Sequence, residues 1–210
     1  MDAERSRRGL IPILIALMLV LAVPQAAAAG GGSGPERAAR LVAQLEQAAD
    51  PNAAFAALSP KDQRLVVSYL TVVEVEEASF SDRAQASDAD GLTAAAASTC
   101  YTFTKRFDGK NTFGGVLFSY FLKVNWCGNG STITSTPSSR RWGQTYYAYW
   151  FFNGHIDWSS SGGYGKTFYQ AFTQGSFSFC PPILGCVQGR YPYIGMTVYP
   201  NGGVSGSMGG

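Results

Sequence analysis

Carboxylates and histidine are scarce in the C-terminal half of this 210-residue chain. From residue 99 onward there is no glutamate, the only aspartates are Asp108 and Asp157, and His155 is the single histidine of the whole chain. Glycosidases place two carboxyl groups beside the scissile bond, so Asp108 and Asp157 would serve only if the fold brought them together. One histidine leaves too few ligands for a metal ion if the cysteines form disulfides. We therefore expect neither a metal site nor a cofactor.

Two patterns keep an enzymatic alternative open. His155-Ile156-Asp157, followed by serines, contains the residue types of a catalytic triad, but the chain has no Gly-x-Ser-x-Gly turn. Gly185-Cys186-Val187 resembles the Gly-Cys-Ile/Val signature of secreted L,D-transpeptidases, although Ile183-Leu184 stand where that family has Ser-His. The alternative hypothesis is a secreted hydrolase or transpeptidase that uses His155 with Asp157 or Cys186. A disulfide at Cys186 would remove the thiolate that such a nucleophile needs.

The first 29 residues have the features of a secretory signal. Arginines at positions 5, 7 and 8 precede an apolar run over residues 11–23, and small residues follow at 26–29. The apolar run is shorter than the roughly 20 residues that a membrane-spanning helix needs. We predict that residues 1–29 are a cleaved signal peptide and that the protein is secreted. The alternative is a membrane tether through an uncleaved signal anchor.

The rest of the N-terminal half is predicted to be helical and acidic. Acidic residues outnumber basic ones over residues 30–78. Ser33 and Glu36 have the spacing of a capping box, and Ser59 followed by Pro60 marks a second helix start. A run of serine, aspartate, alanine and glycine then predicts a linker over residues 79–98. Residues 30–78 are therefore expected to form a small two-helix segment before the domain that begins at residue 99.

Residues 99–210 have the pattern of an antiparallel β domain. In the run over residues 116–127, every even position is apolar or aromatic, which is typical of a strand with one buried face. Four dipeptides that favour tight hairpin turns recur along the domain: Asp108-Gly109, Asn129-Gly130, Asn153-Gly154 and Asn201-Gly202. These turn signals divide the domain into seven to nine short strands. The expected fold is mainly β, an antiparallel β-sandwich or barrel.

The four cysteines, all in this domain, are Cys100, Cys127, Cys180 and Cys186. An even number in an exported chain indicates disulfides, and four cysteines allow three pairings. We favour the sequential pairs, Cys100 with Cys127 and Cys180 with Cys186. A tight hairpin at Asp108-Gly109 would place Cys100 opposite Leu117, so the first pair requires a longer loop between residues 108 and 115.

Aromatic and basic side chains are concentrated in the β domain, which suggests a binding surface. The domain holds all four tryptophans and eight basic residues, and residues 145–152 read as one strand with aromatics on both faces. Aromatic rings beside arginine suit carbohydrate or peptide recognition. Nucleic acid is not an expected ligand of an exported protein. The candidate binding residues are Arg140, Arg141, Trp142, Tyr147, Tyr149 and Trp158.

The function most consistent with these features is a secreted binding module without catalysis. Its expected partner is an extracellular polymer or protein, with a carbohydrate or an anionic polymer of the cell envelope as the preferred ligand. A second alternative is a bacteriocin-like or inhibitor protein whose acidic segment acts as a leader.

Overall fold

The computed structural model describes residues 34–83 and 98–210. The predicted signal peptide and residues 84–97 of the predicted linker lie outside this part. No helix within the described ranges is long and apolar enough to cross a membrane. The helices are α1 (Gly34–Gln47), α2 (Pro51–Ala56) and α3 (Pro60–Tyr69). The strands are β1 (Glu74–Arg83), β2 (Thr99–Lys110), β3 (Val116–Gly128), β4 (Ser138–Thr145), β5 (Trp150–Gly162), β6 (Tyr169–Phe179), β7 (Gln188–Arg190), β8 (Tyr193–Val198), β9 (Val204–Ser205) and β10 (Met208–Gly209).

Side-chain caps set where α2 and α3 begin. Ser59 Oγ accepts the backbone N–H of Asp62 at 3.2 Å, as the sequence predicts for α3. Asp50 caps α2 in the same way by accepting from Asn52 and Ala53, which adds a short third helix to the two that were predicted. Arg37 joins α1 to α3 through a two-pronged ion pair with Asp62, at 2.9 and 3.0 Å. Hydrogen bonds from Arg37 and then from Ser59 lower the pKa of Asp62.

The strands form two antiparallel sheets, which confirms the predicted β-sandwich. The first sheet has the order β1-β2-β3-β4, and the second has β10-β8-β6-β5, with β7 beside β6 and β9 beside β8. The sequence did not predict β1, which pairs with β2 along its whole length and occupies residues 79–83 of the predicted linker. An ion pair between Glu76 and Lys110 joins the two strands.

The sandwich interior is built on the even-numbered face of β3. Phe118 and Tyr120 are fully buried, and Phe118 stacks on Phe177 of the second sheet with ring centroids 4.2 Å apart. The three helices cover the end of the sandwich where β3 begins. There, Trp150 Nε1 donates to the backbone oxygen of Leu70 at 2.9 Å. Helices and sheets therefore share one continuous core.

Both predicted disulfides are present. The first can form because the chain does not turn at Asp108-Gly109, where a tight hairpin was predicted. These two residues lie inside β2, and the chain reverses at residues 111–115. Asn111 holds that loop by accepting from the N–H groups of Phe113 and Gly115. The longer loop shifts the register so that Cys100 faces Cys127 and bonds to it. The second disulfide joins Cys180 to Cys186.

Two of the four predicted turn dipeptides lie inside strands, because glycine also occurs where strands pack closely or contain a bulge. At Gly109, an added Cβ would lie 2.5 Å from the ring of Phe118, so this glycine allows close packing inside a strand. Asn153-Gly154 lies inside β5, at a register shift where Gly154 has φ of 107°. Such a residue inside a strand marks a β-bulge. The dipeptides at 129–130 and 201–202 do lie between strands.

The prediction of one aromatic strand over residues 145–152 was wrong. β4 ends at Thr145, β5 begins at Trp150, and the segment between them is a loop. Tyr149 has φ of 71°, which is a left-handed conformation that ends the extended chain. β4 was not predicted, because its sequence has no apolar alternation and begins with the polar residues Ser138, Arg140 and Arg141.

Candidate functional site

The outer face of the first sheet, the side turned away from the second sheet, is the most distinctive surface of the described chain. Residues directly opposite each other in antiparallel strands point to the same side. The register therefore places the odd-numbered residues of β3 on this face, beside even-numbered residues of β2 and β4. Successive cross-strand rows are Thr102–Asn125–Ser138, Thr104–Lys123–Arg140, Arg106–Phe121–Trp142 and Asp108–Ser119–Gln144.

An aromatic pair lies at the centre of the outer face. Phe121 and Trp142 stack with ring centroids 4.5 Å apart and ring planes inclined by 6°. The guanidinium of Arg140 lies 5.3 Å from the Trp142 ring centroid. On the other side, Arg106 lies 5.2 Å from the ring centroid of Phe80, which is 50% exposed on β1. Arginine side chains therefore lie on both sides of the aromatic pair.

Two cations face each other in the next row. Lys123 of β3 lies directly opposite Arg140 of β4. Lys123 is half-buried and Arg140 is exposed. Like charges in directly opposite positions destabilise a sheet, so the contact between these two cations does not stabilise the fold. Arginine and lysine side by side are typical of sites that bind carboxylate, sulfate or phosphate groups.

A ladder of neutral polar side chains borders the cations. Thr102 Oγ1 donates to Asn125 Oδ1 at 2.8 Å, and Asn125 Nδ2 donates to Ser138 Oγ at 3.1 Å. The ladder crosses three strands, and its side chains are half-buried or exposed. Hydroxyl and amide groups held in a row can exchange hydrogen bonds with the hydroxyl groups of a ligand.

A cavity of about 540 Å³ opens at the opposite end of the outer face, between the sheet, α1 and the 146–149 loop. Its volume lies within the range of roughly 300–1,000 Å³ for small-molecule sites. The residues that line it are Glu46, Arg106, Asp108, Val116, Ser119, Tyr146 and Tyr147.

A chain of hydrogen bonds forms the cavity floor. The Tyr146 hydroxyl donates to Ser119 Oγ at 3.2 Å, and Ser119 donates to Asp108 Oδ1 at 2.5 Å. Asp108 is 1% exposed, and Arg106 Nη2 lies 2.8 Å from its other oxygen. Burial, then Tyr69 through its charge and a side-chain hydrogen bond, and then Glu46, raise the pKa of Tyr147.

The structure separates the six predicted site residues into four places. Arg140 and Trp142 lie together on the outer face. Tyr147 lines the cavity. Tyr149 is 7% exposed, and its hydroxyl donates to the backbone oxygen of Pro51 at 2.9 Å, so it belongs to the contact with the helices.

Arg141 and Trp158 lie where the β4 edge of the first sheet meets the β5 edge of the second. The Arg141 guanidinium lies 4.3 Å from the Trp158 ring centroid. Close by, the Tyr120 hydroxyl is 2.8 Å from His155 Nδ1 and 2.6 Å from Thr173 Oγ1. Partial burial, and then the charge of Arg141, lower the pKa of His155. Burial raises the pKa of Tyr120.

These contacts bear on the residues of the enzymatic alternative. His155 lies within a strand and has Tyr120 as its partner. The Asp157 carboxylate instead accepts the backbone N–H of Trp158 at 2.7 Å. Cys186 is bonded to Cys180, so it offers no thiolate. Within residues 34–83 and 98–210, no group of three His, Cys, Asp or Glu side chains could hold a metal ion.

Sequence reasoning missed Phe80, Lys123 and the Asp108–Ser119 pair. The odd positions of β3 carried a signal, because Ser119, Phe121 and Lys123 alternate with residues that point into the sandwich interior. These residues indicate a site only when the residues opposite them on β2 and β4 are known, and β4 was not predicted.

Comparisons with protein-family models, with curated proteins and with solved structures find no match for this chain. Function therefore has to be argued from the site itself.

Proposed function

We propose that this is a secreted, non-catalytic protein that binds an anionic polysaccharide along the outer face of its first sheet. The observation that carries the proposal is the Lys123–Arg140 row beside the stacked Phe121–Trp142 pair. Two opposed cations supply charge complementarity to carboxylate, sulfate or phosphate groups. The aromatic pair offers a rigid apolar contact for sugar rings at low entropic cost.

Further support comes from the polar ladder and the chemistry of the disulfides. The Thr102–Asn125–Ser138 ladder presents hydrogen-bonding groups that suit sugar hydroxyls. Two disulfides are typical of a protein that works in an oxidising, extracellular compartment. An extended polymer also suits a surface that runs along the strands.

Binding to three polymers tests the proposal. Polygalacturonate carries carboxylates, dextran sulfate carries sulfates, and dextran carries no charge. We expect binding to one or both charged polymers but not to dextran. Raising the salt concentration from 0.1 to 1 M shortens the Debye length from about 10 to about 3 Å and should weaken the binding. Absence of binding to both charged polymers, or equal binding to dextran, would contradict the proposal.

Matched variants separate this surface from general electrostatic attraction. Lys123→Gln should lower affinity about three- to tenfold, whereas Lys166→Gln, which removes the same charge from a loop before β6, should not. Trp142→Ala should lower affinity more than tenfold. Phe151→Ala, which removes a half-exposed ring from β5, is its control. Equal losses in the site and control variants would show that the outer face is not the binding surface.

A further inference from the structure

One end of the binding surface lies at the cavity. Lys123, Phe121 and Ser119 follow each other on one face of β3, and the four residue steps from Ser119 to Lys123 span about 13 Å. Beyond Ser119 lies the cavity, with Glu46 of α1 in its lining. Glu46 Oε1 accepts the backbone N–H of Ala148 at 3.4 Å and so joins α1 to the loop on the other side of the cavity.

From this geometry we infer that the cavity receives the terminal sugar of the polysaccharide, so the protein recognises chain ends. This inference rests on the proposed function. A polymer that lies across the aromatic pair and points toward Ser119 meets the wall formed by Glu46 and Tyr147. Its last residue enters the cavity, and the chain cannot continue past it.

The polar groups of the cavity match a hydroxylated ring. Glu46 is exposed and supplies a carboxylate acceptor, and the hydroxyl of the exposed Tyr146 can accept a hydrogen bond from a sugar hydroxyl. Buried Arg106 Nε and Asp108 Oδ2 make no hydrogen bond to any described residue, although Arg106 Nη2 and Asp108 Oδ2 form an ion pair. Because both atoms are buried, they support the cavity floor and do not face a ligand directly. Arg106 also belongs to the aromatic row, so one side chain connects the two parts of the surface.

The number of protein molecules bound per polymer chain distinguishes end recognition from internal binding. The probe is polygalacturonate or dextran sulfate, whichever binds more tightly, prepared as a short and a long fraction. Isothermal titration calorimetry should give the same number of protein molecules per chain for both fractions, because each chain has the same number of ends. A number that rises with chain length would overturn the inference while leaving the proposed function intact. Loss of all binding would overturn both.

A variant in the cavity provides an independent readout. Tyr146→Phe removes a hydroxyl from the floor and preserves the ring, and Tyr146 is 43% exposed, so folding should be unaffected. We expect about a three- to tenfold loss of affinity for the short fraction. Tyr164→Phe, in an exposed loop away from the cavity, is the matched control. Wild-type affinity in Tyr146→Phe, or the same loss in Tyr164→Phe, would contradict a role for the cavity.

Discussion

Lys123 lies directly opposite Arg140 on the outer face of the sandwich. Opposed cations weaken a sheet, and sites that bind ligands often retain such unfavourable arrangements at a cost in stability. The pair therefore connects the fold to the proposed function, and it predicts a trade-off between stability and binding.

The first prediction concerns this trade-off. Lys123→Glu replaces a repulsive cross-strand pair with an attractive one, so the free energy of unfolding should rise by about 0.5–1 kcal/mol. Affinity for the anionic polymer should fall at the same time. Urea unfolding and polymer titration measure the two effects, with Lys166→Glu as control. A less stable Lys123→Glu protein, or one with unchanged affinity, would contradict the prediction.

The second prediction concerns the contact between helices and sheets. Trp150→Phe removes the indole N–H that donates to Leu70, whose backbone oxygen lies in a buried environment. An unsatisfied buried carbonyl costs about 1–3 kcal/mol, so unfolding should become easier by that amount. Hydrogen exchange should also speed up in α3 more than in β3. Unchanged exchange in α3 would show that the indole does not hold the helices in place.

The third prediction ranks the two disulfides. Cys100 and Cys127 are separated by 27 residues, and Cys180 and Cys186 by 6. The chain-entropy relation then assigns about 3.6 kcal/mol to the first bond and about 2.4 kcal/mol to the second. Urea unfolding of the two Cys→Ser double variants should reproduce this order. A larger loss from the smaller loop would mean that factors other than loop entropy dominate.

The fourth prediction concerns pH and His155. Its pKa is lower in the folded protein than in the unfolded chain, because partial burial and Arg141 oppose protonation. The unfolded chain therefore binds more protons as the pH falls through about 6.5, the ordinary histidine pKa, and stability decreases. His155→Gln should reduce the decrease in unfolding free energy between pH 7.5 and pH 5. An identical decrease in the variant would show that other groups cause it.

The β-sandwich was predictable from local pattern, whereas the partners of each strand were not. Alternation along β3 predicted a buried face, and Phe118 and Tyr120 lie on it. β4 carries Arg140 and Trp142 yet has no apolar alternation, because its outer face is polar except for Trp142 and its inner face includes Gly143, against which Phe152 packs. Tertiary contacts, not propensity, make this segment a strand.

The candidate site was only partly predictable for the same reason. Arg140 and Trp142 could be selected by residue type alone. Their relation to Lys123 and Phe121 depends on the register between β3 and β4, which the sequence does not determine. Tyr149 was selected for its aromatic ring, but its left-handed backbone turns it under the helices.

Mapping the bound polymer by NMR tests the central claim most directly. Backbone amide shifts would be followed while a short fraction of the charged polymer is titrated into the protein. The account predicts perturbations concentrated over residues 102–108, 119–125 and 138–146, with residues 170–179 of the second sheet unchanged. Perturbations centred on the second sheet, or none at saturating polymer, would contradict the assignment of the outer face as the binding surface.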